Sequence, residues 1–347
     1  MKKVIILFIM LVALGNLVFA DLAFGAWGRS IFNLAEGNDA VDDITQSWGP
    51  GWGVHRLGVD FNFTSKFVDY HMNMRTNYAT LMGFPTMYGT LKLVPDMFSL
   101  HMGQFSGDGF DTFRKTSPHP INDKNNGDVG RMNGWGLIGI LAPKDSGFEA
   151  GVMWATADPM WDDDADPATS VVPFHANIED NAEMVDVAAA YTVPGTVKIT
   201  AGSMYDGVRN IFGRVELLMV KDLTLWADAK YVGLESSTAA ALSAMLAGGY
   251  KMDALTIAFA AGLGMGLDAE TLDWSVYPEV YYNLGAVTAG IYLGVSGGDT
   301  LGDGLAIEAQ PYVVVNDFNL RISVDITYNT DTEATTWAIP VLVTFGF

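Results

Sequence analysis

The sequence predicts an all-β chain folded as a transmembrane antiparallel β-barrel of about eighteen strands. Three observations carry that prediction. Half of the 347 residues are hydrophobic and only 17% are charged, against about one quarter in a typical soluble chain. Beyond the first twenty residues, no apolar run approaches the roughly 20 residues that a spanning helix needs. Along most of the chain, apolar side chains recur at every second position, the period of a strand with one face in an apolar medium. A membrane chain without spanning helices satisfies its backbone by closing a sheet on itself.

The amino terminus reads as an export segment. Met1, Lys2 and Lys3 lead into the apolar residues 4–14, then Leu17, Val18, Phe19 and Ala20. Val18 and Ala20 are the small residues of a cleavage site after Ala20, and Gly15 and Asn16 cut the run short of spanning length. Residues 1–20 are therefore expected to be a signal peptide, and residues 21–347 the barrel. No linker or composition shift divides the remainder. The chain has no cysteine, so disulfides take no part in holding an exported protein together.

Strand by strand, the alternation is explicit. Leu57, Val59, Phe61 and Phe63 alternate with Arg56, Gly58, Asp60 and Asn62; Val68, Tyr70, Met72 and Met74 alternate with Asp69, His71, Asn73 and Arg75. Phe318, Leu320, Ile322, Val324 and Ile326 do so with Asn319, Arg321, Ser323, Asp325 and Thr327. Eighteen such strands are predicted, starting near Ala23, Trp52, Phe67, Thr86, Met97, Met132, Gly147, Met184, Thr196, Asn210, Asp222, Ser243, Ala254, Leu272, Ala286, Gly304, Asp317 and Thr335. Most run to roughly ten residues, the length of a tilted membrane strand. The first strand is weakly patterned, and residues 238–247 also fit a short helix. Removing one hairpin would give sixteen strands.

The connections alternate in length. Turn-like breaks fall at Thr64 to Lys66, Pro95-Asp96, residues 142–146, Pro194-Gly195, Lys221-Asp222, Asp253, Gly285 and Asn316-Asp317. Between them come longer segments, notably residues 34–51, 106–131 and 158–183. Short turns on one side and long loops on the other are the arrangement of outer-membrane barrels, with the turns in the periplasm.

Charge follows the same pattern. A lipid-facing Arg or Lys at mid-depth costs about 2–4 kcal/mol, and the ionised strand residues all share the polar phase. The basic ones are Arg29, Arg56, Arg75, Lys92, Lys198, Arg214, Lys230, Lys251 and Arg321. The acidic ones are Asp60, Asp69, Glu149, Asp186, Glu216, Asp228, Asp273, Glu279, Glu308 and Asp325. His71 and His101 lie on that phase too, while His55 departs from it near a strand end.

The closing strand runs through Trp337, Ile339, Val341, Val343, Phe345 and Phe347, each separated by one residue. With the export segment and the alternating strands, this ending makes the whole chain resemble a bacterial outer-membrane porin of the general diffusion type. The resemblance implies the outer membrane of a diderm bacterium as location, with outer-membrane lipid and the barrel-assembly machinery as partners. It marks Phe347 as the assembly signal and implies a homotrimer. It also implies that the third long loop folds inward as a constriction, which makes Asp108, Asp111, Arg114 and Lys115 candidates to face a wall carrying Arg56 and Arg75.

Nothing in the chain suggests catalysis. His55, His71, His101, His119 and His175 lack metal-ligand spacing, and nothing makes a Ser/His pair more than coincidence. Asp162, Asp163, Asp164 and Asp166 lack the glycine and distal glutamate of an EF-hand loop. The glycines at 262, 264 and 266 do not have dinucleotide-binding spacing. No enzyme activity, cofactor or metal is expected, and 19 bases against 40 acids give nucleic-acid binding no electrostatic support.

Removing residues 1–20 takes away two lysines and leaves a net charge of −23. The strand wall is near balance, with nine bases and ten acids, whereas the longer connections carry 24 acids against five bases. The expected function is passive diffusion of small hydrophilic solutes and ions through a water-filled pore with a moderate cation preference. The expected pore-lining residues are Arg56, Asp60, Asp69, His71, Arg75, His101, Arg214, Glu216, Asp228, Lys230, Arg321 and Asp325. Two alternatives stay open. Tyr277, Tyr281, Tyr292, Tyr312 and Trp226 on the inward phase would suit a saccharide-selective pore, and the acidic loops would suit an adhesin or structural barrel.

Overall fold

A computed structural model describes residues 21–39, 41–48, 55–77, 80–109, 131–155, 185–205, 209–233, 240–302 and 304–346. The first ten strands are β1 (Asp21–Asn38), β2 (Val41–Trp48), β3 (His55–Thr64), β4 (Val68–Asn77), β5 (Thr80–Val94), β6 (Phe98–Gly109), β7 (Arg131–Leu141), β8 (Phe148–Ala155), β9 (Val185–Val193) and β10 (Val197–Tyr205). The other ten are β11 (Arg209–Leu217), β12 (Leu223–Val232), β13 (Ala241–Met252), β14 (Leu255–Gly266), β15 (Thr271–Asn283), β16 (Val287–Gly298), β17 (Leu305–Val315), β18 (Leu320–Ser323), β19 (Asp325–Asn329) and β20 (Ala334–Gly346). All belong to one sheet.

Every pairing is antiparallel and sequential from β3 to β18, and β20 closes the ring. One of its edges pairs with β18 and β19, and the other with β1 from Trp27↔Gly346 to Asn38↔Thr336. β2 and β3 succeed one another along β1, and β18 and β19 along β17. Each of those two pairs forms one stave, so the barrel has eighteen. With strands about 4.8 Å apart and tilted about 40°, eighteen staves enclose a backbone cylinder about 36 Å across.

The sheet closes because each strand has one face for the interior and one for the exterior. Side chains converge on the concave face of a cylinder and splay on the convex face, so the buried set marks the interior. In β11, Phe212, Arg214 and Glu216 are buried, while Ile211 and Val215 are exposed. Large aliphatic side chains recur along the exposed set: Val152, Val187, Ile199, Leu246, Ile257, Val280, Ile291, Val313 and Ile322. Such a continuous apolar exterior is unfavourable in water and matches hydrocarbon. Phe24, Tyr70, Phe148, Tyr191, Tyr250 and Tyr282, also exposed, sit near the short-turn end, as an interfacial aromatic girdle does.

The turn end is built from tight breaks. Asp96, Asp145, Asp222 and Asp253 take positive φ of 51–61°, and Gly195 and Gly285 take 67° and 86°, the left-handed conformation that Gly, Asn and Asp tolerate best.

Several sequence expectations need correction. Within the expected loop 34–51, residues 34–38 and 41–48 are strand: β1 continues to Asn38 and β2 returns from Val41 beside it. Glu36, Asp39, Asp42 and Asp43 make this stretch read as a loop, but both faces of a strand can be polar once it rises beyond the apolar band. β5 starts at Thr80, not near Thr86; between the pairs Asn73↔Thr86 and Arg75↔Gly83 it spends one extra residue, a bulge that accommodates Pro85. β6 and β7 still pair at Gly109↔Arg131, so Asp108 belongs to a strand and the connection narrows to 110–130. The segment that also fitted a helix is strand from Ala241 onward.

Candidate functional site

Among the described residues, ionised strand side chains gather on the interior face of the wall. Along β8–β12 they pair. Arg214 donates to Asp228 Oδ2 through Nη2 at 2.8 Å and Nε at 3.2 Å. Their side chains are only 1% and 5% exposed. Arg214 also lies 5.1 Å over the Trp226 ring. Lys198 reaches Glu149 at 3.4 Å, and Arg209 lies 3.9 Å from Asp186. Register explains the closest pair, because Arg214 and Asp228 face each other across β11–β12.

Two apolar patches interrupt this charged wall. Ile138, Met153, Ala188, Ala190 and Phe212 form one, with Tyr88 and Ile140 packed on it. Trp226, Ala247 and Ala260 form the other, with Met245 and Tyr277. Beside the second patch, Tyr277 and Tyr292 stack with centroids 5.9 Å apart. Tyr312 donates to Glu279 at 2.6 Å, and Glu279 is buried. Trp226, Tyr292 and Tyr312 are at most 3% exposed, so these aromatics serve the packing of the wall and offer no open ring face.

A second polar district lies on β3–β6. Lys92 donates to Asp69 at 2.8 Å and to the Ser65 carbonyl at 3.0 Å, with both side chains 31% exposed. Asn73 donates to Asp60 at 2.6 Å. His71 bonds Asn62, and His101 bonds Thr90 at 2.8 Å and Ser99 at 3.1 Å. On β17–β19, Gln310 donates to Asp325.

The residues expected to line a pore therefore separate as follows. Asp60, Asp69, His71, His101, Arg214, Glu216, Asp228, Lys230, Arg321 and Asp325 occupy the interior phase of their strands. They do not converge on one point but ring the wall. For Arg56 and Arg75 the register is described: Arg56 faces Arg29 and Arg75 faces Gly58. Asp111, Arg114, Lys115, Phe347, the 1–20 segment, and the acidic run Asp162 to Asp166 lie outside the described residues. Sequence reasoning missed Tyr88, which stands between the two histidines, and the partners Asn62, Thr90 and Ser99. Their polar side chains on an inward phase were the available trace, but only register shows which ones meet.

A closed antiparallel barrel with an apolar exterior and an ion-paired interior defines the class: a membrane β-barrel of the outer-membrane type. Among solved structures the chain is similar to OpdO of Pseudomonas aeruginosa, with 9% sequence identity over 94% of this chain and 97% of that one, at a TM-score of 0.58. It is also similar to two mutants of Rh. blastica porin, at 12% and 13% identity over 94% of this chain and 100% of those, each with a TM-score of 0.50. No family model and no curated protein matches the sequence. Within the class, then, the fold is that of the outer-membrane porins.

Proposed function

We propose that this protein is an outer-membrane channel for passive diffusion of small hydrophilic solutes and ions. The observation that carries the reading is the segregation across one wall: exposed aliphatic residues outside, and Arg214–Asp228, Lys198–Glu149 and Lys92–Asp69 pairs inside. Ionised groups belong on an interior that holds water, and eighteen staves are wide enough to hold it. No chemical step is assigned to the protein.

A moderate cation preference belongs to the same proposal. The strand wall carries nine bases against ten acids, so the excess negative charge of the connections sets the field at the mouth. Residues 110–130, with Asp111, Arg114 and Lys115, are proposed to narrow the lumen opposite Arg56 and Arg75. Export through residues 1–20, assembly read from Phe347, and a homotrimer complete the reading. Reversal potentials across planar bilayers test the preference. Cation selectivity at about 0.1 M salt that fades at about 1 M supports it, because the screening length drops from about 10 to 3 Å. Anion selectivity at low salt rejects it.

A further inference from the structure

Three rings stand side by side on the interior wall over β4–β6. His71 faces Tyr88 across β4–β5, and Thr90, the next inward residue of β5, faces His101 across β5–β6. Ring centroids are 5.3 Å apart for His71 and Tyr88, and 6.1 Å for Tyr88 and His101. The register thus fixes two imidazoles at neighbouring positions on a polar part of the wall.

Their hydrogen bonds suit either protonation state. Asn62 Oδ1 accepts from His71 Nδ1–H, which leaves Nε2 to take up a proton. Both nitrogens of His101 meet hydroxyls, Thr90 Oγ1 and Ser99 Oγ. A hydroxyl rotates to accept from an imidazolium N–H as readily as it donates to a neutral nitrogen. Protonation of either ring therefore needs no movement of heavy atoms.

The charges facing these rings are few. On β3 and β4 they are Asp60, held by Asn73, and Asp69, held by Lys92 of β5. Tyr88 is the other titratable group of β5, and β7 presents the apolar Ile138 and Ile140. Arg56 and Arg75 occupy the loop-ward positions of β3 and β4. Against this small set, a positive charge added at either ring changes the local balance.

We infer that His71 and His101 are selectivity-determining residues that make the channel less cation-selective as the pH falls from about 7.5 to 5.5. Resting on the channel reading above, the inference adds to it a pH dependence located in two side chains. Histidine is the side-chain type that ordinarily changes charge inside this window, whereas carboxylates stay ionised throughout it. The acidic connections therefore keep their charge across this window, and the change originates at the histidines.

The test uses the full-length protein in planar bilayers under a tenfold KCl gradient at low ionic strength, with the cation-to-anion permeability ratio read at both pH values. The wild type is expected to lose about twofold or more of its ratio at the lower pH. His71→Gln and His101→Gln should each retain part of that shift, and the double variant should lose it. A second neutral pair, His71→Asn with His101→Asn, guards against one failing to fold. A wild type with no shift, or double variants that shift as far as the wild type, overturns the assignment. A protein that conducts at both pH values with an unchanged ratio rejects the histidines alone, whereas one that never conducts rejects the channel reading.

Discussion

Arg214 and Asp228 form the most deeply enclosed ion pair described in the wall, 2.8 Å apart with side chains 1% and 5% exposed. Removing one partner strands the other without water. Asp228→Ala should destabilise the barrel by about 3–5 kcal/mol, while replacing both residues with leucine should restore most of the loss. Urea unfolding in lipid vesicles, read by Trp fluorescence, checks both.

The exterior makes the opposite demand. Leu246 is 43% exposed at mid-strand in β13, on the face assigned to hydrocarbon. Leu246→Arg should cost about 2–4 kcal/mol in a bilayer, measured as a lowered unfolding midpoint and folded yield. An unchanged midpoint would mean that this face does not meet lipid.

Packing on the inner face is uneven, and two glycines expose the difference. A Cβ on Gly58 would run into the Trp27 ring, whereas one on Gly264 would meet nothing within 4 Å. Gly58→Ala should therefore destabilise by about 1–3 kcal/mol through overpacking, and Gly264→Ala should be neutral or slightly stabilising. Parallel denaturation curves of the two variants decide it.

At the turn end, Gly285 has φ of 86° and open space around it. Gly285→Ala should lose about 1–2 kcal/mol from backbone conformation alone. The same unfolding assay should register that loss, while planar-bilayer recording should find channel conductance unchanged, since the turn lies away from the inner wall.

Much of this fold was legible because period-two alternation is a local property. Residues 57–63 declare their two faces without reference to any partner, and the same holds for residues 320–326. What stayed hidden depends on pairing. The β1–β2 hairpin escapes because its charges sit beyond the apolar band, where a strand no longer needs alternation. The start of β5 escapes because Pro85, which cannot donate to a ladder, sits in a bulge. Of the candidate site, the identity of the inward charges could be read, but their partners could not. Lys92 lies 23 residues from Asp69 and Lys198 lies 49 from Glu149, separations that only the register closes.

Single-channel recording of the purified protein in a planar bilayer, with sugars of graded size as probes, bears most directly on the central claim that the barrel encloses a continuous column of water. Long-lived open steps are predicted, reduced in height by sugars small enough to enter and unaffected by those too large. A bilayer that stays silent, or steps indifferent to sugar size throughout the series, would contradict it.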